Sequence, residues 1–133
     1  MQSLENTMLI TDLDGTLLPA SKEISVADAA AISQFRAKGG KFAIATGRTL
    51  QAAQRYLKKL QPNIPVILFN GAAIYDPVAE KWLYTEELPP EAVSITRQVL
   101  EAFPDVSAEI LRTDGTYVSR MTPYEKEHLE ICQ

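Results

Sequence analysis

The sequence is short of residues that several classes of protein need. Its 133 residues contain one cysteine, one histidine and one tryptophan. A single cysteine, Cys132, cannot form a disulfide within the chain, so a reducing compartment such as the cytoplasm is expected. The lone histidine, His128, has no histidine partner with which to form a cluster, and we interpret it as a surface residue on a helix rather than a catalytic base.

Long apolar runs and a large excess of positive charge are also absent. The longest apolar stretches, such as residues 64–69, fall far short of the about 20 residues that span a bilayer. Residues 1–6 lack the basic and apolar regions of a signal peptide. The net charge of −4 provides no general attraction for nucleic acid or an anionic membrane. We therefore expect a soluble, cytoplasmic protein with no nucleic-acid or membrane partner.

The first half of the chain alternates between strand-like and helix-like patterns. Short apolar runs at residues 8–13, 42–45 and 66–69 predict buried strands. Between them, residues 25–38 and 49–60 carry apolar side chains at helical spacing. Continuous apolar strands that alternate with helices are typical of a parallel sheet covered by helices. The predicted fold class is therefore α/β, with a Rossmann-like parallel sheet.

The pattern changes in the second half. Residues 73–75 and 82–84 are strand-like runs on either side of a turn, which predicts a hairpin. Prolines at 89–90 open a predicted helix, and Asp114-Gly115 marks a turn beside a further short strand. Thr122-Pro123-Tyr124-Glu125 is a capping box that begins a last helix. This order of elements is typical of an α+β arrangement.

Two acidic residues, Asp12 and Asp14, lie where the first predicted strand ends. Residues two apart on a strand point to the same face, roughly 7 Å from each other. Two close carboxylates repel, and a hard divalent cation such as magnesium (Mg2+) neutralises them best. Gly15 then allows a sharp turn. Both aspartates are candidate metal ligands, and the alternative is that they only begin a turn, as aspartates often do.

Other polar residues follow the second and third predicted strands. They are Thr46, Gly47 and Arg48 after the second strand, and Asn70 and Gly71 after the third. Because the carboxyl ends of parallel strands open at one edge, we expect all of them near the aspartates. A hydroxyl and the free N–H groups of a helix start can bind phosphate, and an arginine can add a charged donor. The alternatives are a helix cap for Thr46, a solvated side chain for Arg48 and a simple turn at Asn70-Gly71.

The motifs resemble those of a known family. The run from Asp12 to Leu18 resembles the first motif of the haloacid dehalogenase (HAD) superfamily, which includes aspartate-nucleophile phosphatases. Thr46-Gly47-Arg48 and Asn70-Gly71-Ala72 resemble the patterns of its Cof-type branch. The resemblance implies a magnesium-dependent phosphatase for small phosphorylated metabolites, with sugar phosphates foremost. It also implies that residues 1–75 are the amino-terminal half of a core and residues 76–133 the beginning of an α/β cap.

The resemblance implies specific roles for the two aspartates. Asp12 would attack phosphorus to form an aspartyl-phosphate, and Asp14, held neutral before the attack, would protonate the leaving alcohol and then activate water. Magnesium would bridge Asp12, the backbone carbonyl of Asp14 and the phosphate. The same first motif occurs in mutases, so phosphoryl transfer between positions of a sugar is an alternative function.

Two further family motifs, a lysine and an acidic pair that completes the metal site, are not found after the predicted cap begins. Neither Lys126 nor Asp114-Gly115 is a credible substitute. We therefore expect a truncated, amino-terminal piece with little or no activity. Without later strands of the sheet, residues 8–13 would present an apolar edge through which the chain could associate. A non-catalytic piece that acts only by such association is the second alternative.

Overall fold

The computed structural model describes residues 3–132, with side chains up to His128. The chain divides into two compact units, Met1–Glu86 and Glu87–Gln133. The helices and strands of the first unit are β1 (Met8–Thr11), α1 (Val26–Ala37), β2 (Lys41–Ile44), α2 (Leu50–Leu60), β3 (Val66–Leu68), β4 (Ala73–Asp76) and β5 (Lys81–Thr85). Those of the second are α3 (Glu91–Ala102), β6 (Glu109–Arg112), β7 (Gly115–Val118) and α4 (Pro123–Cys132). Within the described part no helix is long and apolar enough to cross a membrane.

The predicted strand–helix–strand order is confirmed in the first unit. Strands β1 and β2 are parallel neighbours, with Thr11 opposite Ile44 at their carboxyl ends. Strand β3 continues this parallel arrangement through a single bridge between Ala45 and Ile67. The α/β class and the parallel core are therefore as predicted.

Both helices of this core begin at residues whose side chains cap them. The Ser25 hydroxyl accepts a hydrogen bond from the Asp28 N–H at 3.0 Å, and the Thr49 hydroxyl accepts one from the Ala52 N–H at 3.2 Å. An N-cap of this kind contributes about 1 kcal/mol of helix stability. The inner faces of the helices then pack on the core, whose fully buried large side chains are Phe42, Leu13, Ile44, Leu68 and Val66. Burial of each such side chain contributes about 1.5–3 kcal/mol.

The prediction that residues 8–13 form a buried strand is wrong for most of its length. Met8, Leu9 and Ile10 are 57%, 42% and 46% exposed, and only Leu13 is fully buried. The physical reason is that β1 has a neighbouring strand on one side only, because it pairs with β2 alone among the described residues. The apolar edge expected from the sequence is therefore present.

The predicted hairpin of β4 and β5 packs with the first unit. Strands β3, β4 and β5 form an antiparallel sheet, and Trp82 lies against Tyr75 with ring centroids 5.0 Å apart. The Asp76 carboxylate accepts hydrogen bonds from two N–H groups of the turn that follows it. The hairpin thus belongs to the compact unit that ends at Glu86. The boundary between core and cap after residue 75 stays a prediction about the domains of the family fold.

In the second unit, the predicted turn is confirmed, and so is the half of the capping box that the Thr122 side chain makes. Strands β6 and β7 form an antiparallel hairpin, and the Thr122 hydroxyl accepts a hydrogen bond from the Glu125 N–H at 3.1 Å. His128, predicted to lie at the surface, is half-buried, with its Nε2 3.5 Å from Oε1 of Glu109. Burial and a hydrogen bond with the carboxyl of Glu125 raise the pKa of Glu109. The side chain of Cys132 lies outside the described residues.

Candidate active site

The carboxyl ends of the three core strands meet at one edge, as predicted. The Ala45 N–H donates to the Thr11 carbonyl at 2.9 Å, and the Asn70 N–H donates to the Thr46 carbonyl at 3.2 Å. The Phe69 N–H donates to the Arg48 carbonyl, also at 3.2 Å. These bonds join the segments that carry the candidate residues after β1, β2 and β3. The topology therefore places all of the predicted site residues at this edge.

The segment after β1 is a tight turn between two buried leucines. The carbonyl of Leu13 accepts hydrogen bonds from the N–H groups of Leu17 at 3.0 Å and Leu18 at 2.7 Å. Gly15 has a φ of +76°, a conformation that side-chain-bearing residues rarely adopt. Asp12 is exposed, and its Oδ1 accepts a bond from the Leu13 N–H at 2.7 Å. The turn thus leaves the other carboxylate oxygen of Asp12 available.

Asp14 is bound by Arg48 through a two-pronged ion pair. Nε of Arg48 lies 2.7 Å from Oδ2 of Asp14, and Nη2 lies 2.9 Å from Oδ1. The side chain of Arg48 is only 12% exposed, and its guanidinium lies over the ring of Tyr56, 5.1 Å from the centroid. The alternative of a solvated surface arginine is therefore wrong. Arginine is suited to this position because its planar fork matches a carboxylate.

A second cation at Asp14, Lys22, was not anticipated from the sequence. Its Nζ lies 2.7 Å from Oδ1 of Asp14. Lys22 belongs to the irregular segment between the Asp14 turn and α1, where no periodicity links a residue to the site. Its φ of 57° is the one local peculiarity, and no sequence pattern predicts a lysine in that conformation.

These two cations determine the charge of Asp14. The hydrogen bond from Arg48 is the largest influence, and together with Lys22 it holds the pKa of Asp14 well below its usual range, although partial burial opposes the shift. The carboxyl is therefore ionised at neutral pH. In the chain without substrate, two positive charges stabilise the charged form of Asp14. That Asp14 is neutral when substrate is bound, before the attack, stays a prediction.

Thr46 is buried and its hydroxyl faces the start of the next turn. Its Oγ1 accepts a hydrogen bond from the Arg48 N–H at 3.2 Å, whereas the N-cap of α2 is Thr49. The alternative that Thr46 caps this helix is therefore wrong. Its hydroxyl hydrogen remains able to donate to a ligand at the strand edge.

Gly47 and Asn70 lie against each other. A Cβ atom on Gly47 would lie 2.7 Å from Oδ1 of Asn70, a distance that Cβ atoms in proteins essentially never show. Asn70 itself has a φ of 55°, and Gly71 has a φ of +99°. The simple-turn interpretation thus holds for the backbone, while the side chain of Asn70 reaches the loop that carries Thr46 and Arg48.

The oxygen donors at this edge fit a magnesium ion that has few protein ligands. The described residues contain no group of three or more His, Cys, Asp or Glu side chains able to hold a metal. Magnesium commonly uses one or two carboxylates and completes its shell with water and substrate phosphate. Asp12, with a free carboxylate oxygen, and the backbone carbonyl of Asp14 are the groups that suit such an ion.

Comparison with known proteins assigns the fold and motifs to one family. Residues 9–132 match the haloacid dehalogenase-like hydrolase family. The chain belongs to this family. It is 30% identical over 125 residues to the 5-amino-6-(5-phospho-D-ribitylamino)uracil phosphatase YitU of Bacillus subtilis, a match that covers 92% of this chain and 44% of that protein. It is also 32% identical over 99 residues to the HMP-PP phosphatase of Cronobacter sakazakii, covering 74% and 35% of the two chains.

Solved structures of the family agree with this assignment. The HAD subclass IIB sugar phosphatase BT4131 superposes with a TM-score of 0.80 at 26% identity, over 95% of this chain and 49% of that one. The chain thus spans less than half the length of the proteins to which it is compared. The resemblance found from Asp12 to Leu18 and from Thr46 to Arg48 is confirmed as a family relationship.

Proposed function

We propose that this chain carries the nucleophile and the phosphate-binding loop of a magnesium-dependent phosphomonoester hydrolase. The observation that carries the proposal is the contact of Asp14 with Arg48 at 2.7 Å, at the edge where Asp12 and Thr46 follow neighbouring strands. Carboxylates, a hydroxyl and a guanidinium at one strand edge are the groups that phosphoryl transfer needs. Membership of the hydrolase family supports the same chemistry.

We propose small phosphorylated metabolites, including sugar phosphates, as the substrate class. The relatives named above act, by their names, on a phosphorylated ribitylaminouracil, on HMP-PP and on a sugar phosphate. These compounds share a phosphoryl group on a small organic molecule. Thr46, which lies in the family motif, would bind that shared group, whereas selectivity among leaving groups would depend on other residues.

In the proposed reaction, a carboxylate oxygen of Asp12 attacks phosphorus and the bond from phosphorus to the ester oxygen breaks. Asp14 gives its proton to the departing oxygen, which leaves as an alcohol. Water then attacks the aspartyl-phosphate, Asp14 takes one of its protons, and the bond from Asp12 to phosphorus breaks to release inorganic phosphate. Since Asp14 is ionised in the free chain, its first role requires that it take up a proton from solvent when substrate draws positive charge away from it.

Magnesium, when bound, would neutralise charge on the transferring phosphoryl group. Asp12 and the backbone carbonyl of Asp14 are the proposed protein ligands. The Thr46 hydroxyl would donate to a phosphate oxygen, and Arg48 would orient Asp14 toward the ester oxygen. Each of these roles depends on a residue that the fold holds at the strand edge.

Hydrolysis of an aryl phosphate by the purified chain, with and without magnesium, tests the proposal. Because little activity is expected of this chain, it is measured at high protein concentration against a protein-free background. Asp12→Asn keeps the shape of the side chain but removes the nucleophile, so turnover should fall to background. Asp105→Asn is the matched control, because it removes an exposed carboxylate from the second unit. Magnesium-dependent turnover above background that is equal in the Asp12→Asn variant and the parent chain would refute the proposed role of Asp12.

The exposed strand β1 favours a second candidate function, association with a complementary polypeptide. Met8, Leu9 and Ile10 present apolar side chains on a strand that has one open edge among the described residues. Such edges pair readily with other strands. If the chain self-associates through β1, Ile10→Lys should lower the average sedimentation coefficient relative to the parent chain. Val78→Lys, which changes an exposed apolar residue in the hairpin turn, should leave it unchanged. If the parent chain, Ile10→Lys and Val78→Lys all sediment as monomers, self-association is contradicted.

A further inference from the structure

Two cations meet one carboxylate at the candidate site, and they are held in different ways. Arg48 binds both oxygens of Asp14 and is largely buried. Lys22 makes one contact, 2.7 Å from Oδ1, and its side chain is 38% exposed. A guanidinium fork is pre-organised for a carboxylate, whereas an ammonium is a point charge on a flexible stem. Lys22 is therefore the cation that can exchange its partner more easily.

The backbone of Lys22 is fixed even though its side chain can move. The residue lies between Leu18 and Ile24, which are buried, and its N–H donates to the Pro19 carbonyl at 2.9 Å. From α2, the hydroxyl of Tyr56 donates to the Lys22 carbonyl at 3.1 Å. These contacts hold a left-handed backbone conformation that is unfavourable for a lysine.

A second contact from α2 supports the same segment. Nζ of Lys59 donates to the Ile24 carbonyl at 2.8 Å. Tyr56, which is itself buried, lies beneath the guanidinium of Arg48 and hydrogen-bonds the backbone of Lys22. One side chain of α2 thus touches both cationic residues. This arrangement directs two positive groups to the strand edge from separate parts of the chain.

We infer that Lys22 is a phosphate-binding residue of this site. On arrival of a phosphate ester, Nζ of Lys22 leaves Oδ1 of Asp14 for a phosphate oxygen, while Arg48 keeps Asp14 in place. The exchange is favourable because a phosphate dianion carries more charge than the carboxylate it replaces. No covalent bond is made or broken in this step. The inference rests on the proposed function, since it takes phosphate as the ligand.

Binding of inorganic phosphate to the whole chain tests the inference without turnover. Titration calorimetry in EDTA at low salt would compare the parent chain with Lys22→Met, Lys22→Arg and Lys58→Met. We expect Lys22→Met to weaken binding about fivefold, the upper range for a partly exposed ion pair, and Lys22→Arg to restore most of it. Lys58→Met removes an exposed positive charge from the far part of α2 and should leave affinity unchanged.

Combining this change with Asp14→Asn separates phosphate binding from a purely structural role. Asp14→Asn removes the competing carboxylate, so phosphate should bind more tightly. Lys22→Met should then reduce the affinity for phosphate by a larger factor in the Asp14→Asn background than in the parent chain. If Lys22 only fixed the loop, its replacement would weaken binding by the same factor in both backgrounds. That result, or an unchanged affinity in Lys22→Met, would overturn the inference, as would a parent chain that does not bind phosphate.

The two proposals can fail separately. Phosphate binding that depends on Lys22, together with magnesium-dependent hydrolysis that Asp12→Asn leaves unchanged, would support this inference and contradict the proposed function. Hydrolysis whose KM for an aryl phosphate is the same in Lys22→Met and the parent chain would support the function and contradict the inference. Circular dichroism of each variant at the assay temperature establishes that the compared proteins are folded.

Discussion

Replacing Arg48 by lysine should destabilise the chain although the charge is kept. Lysine can make one contact to Asp14 where Arg48 makes two, at 2.7 and 2.9 Å. It also loses the planar stacking on Tyr56. A charge-assisted hydrogen bond contributes about 1.5–3 kcal/mol when buried. Since Asp14 is 38% exposed and screened by water, we reduce the expected loss in the free energy of unfolding to about 1 kcal/mol.

Urea unfolding followed by circular dichroism measures this loss directly. For a chain of this size, about 1 kcal/mol corresponds to a Tm decrease of roughly 3–6 °C. A double-mutant cycle with Asp14→Asn isolates the interaction between Arg48 and Asp14. Once the carboxylate is absent, Arg48→Lys should lower the free energy of unfolding clearly less. Equal losses of stability in both backgrounds would show that the effect of Arg48 does not depend on Asp14, contrary to this prediction.

Three further predictions concern other parts of the chain. Because the pKa of Glu109 is raised, its protonated form stabilises the fold at pH values below the ordinary pKa of 4.5, and this contribution is lost as pH rises through the raised pKa. Glu109→Gln should therefore flatten the dependence of Tm on pH in this range, and a pH profile equal to that of the parent chain would contradict this prediction. Gly47→Ala should displace the amide of Asn70 and so raise KM for an aryl phosphate while it leaves Tm nearly unchanged. A KM equal to that of the parent chain would count against a role for this contact in substrate binding. Asn63→Ala removes two side-chain bonds, of 2.7 and 3.1 Å, to the backbone at the start of β2 and should cost about 1–3 kcal/mol in urea unfolding, whereas a loss below about 0.5 kcal/mol would show that these bonds contribute little.

Local signals in the sequence were sufficient to predict most elements. Ser25 precedes α1 and caps it, and Thr122 caps α4, because a side-chain oxygen before a helix satisfies N–H groups wherever the helix packs. The apolar spacing of α2 likewise predicted its buried face. These features depend on neighbours within a few residues, so no tertiary information was needed.

Features that depend on the distant environment could not be predicted in this way. The apolar run of β1 indicated a buried strand, but burial depends on neighbours on both sides, and the described chain provides one. The contact of Lys22 with Asp14 depends on a loop conformation supported by Tyr56 from α2. The ionised state of Asp14 follows from that contact and from Arg48. Each of these outcomes required the three-dimensional arrangement.

The candidate site was predictable at the level of motifs but not of contacts. Asp12, Asp14 and Thr46 were expected at one edge because parallel strands place their carboxyl ends together, and the structure brings them there. The hydrogen-bond partner of each side chain depends on differences of a few ångströms in position, which a sequence pattern does not give. Arg48 had two open interpretations in the sequence, and its burial beneath Asp14 and over Tyr56 decided between them.

The most direct test of the proposed function is to detect a phosphoryl group on Asp12. The chain would be incubated with magnesium and an aryl phosphate, quenched in acid, digested and examined by mass spectrometry. We expect the peptide containing Asp12 to gain the mass of one phosphoryl group, and we expect no such gain in Asp12→Asn. Hydrolysis of the aryl phosphate with no modified Asp12, or with the group on another residue, would show that Asp12 is not the nucleophile.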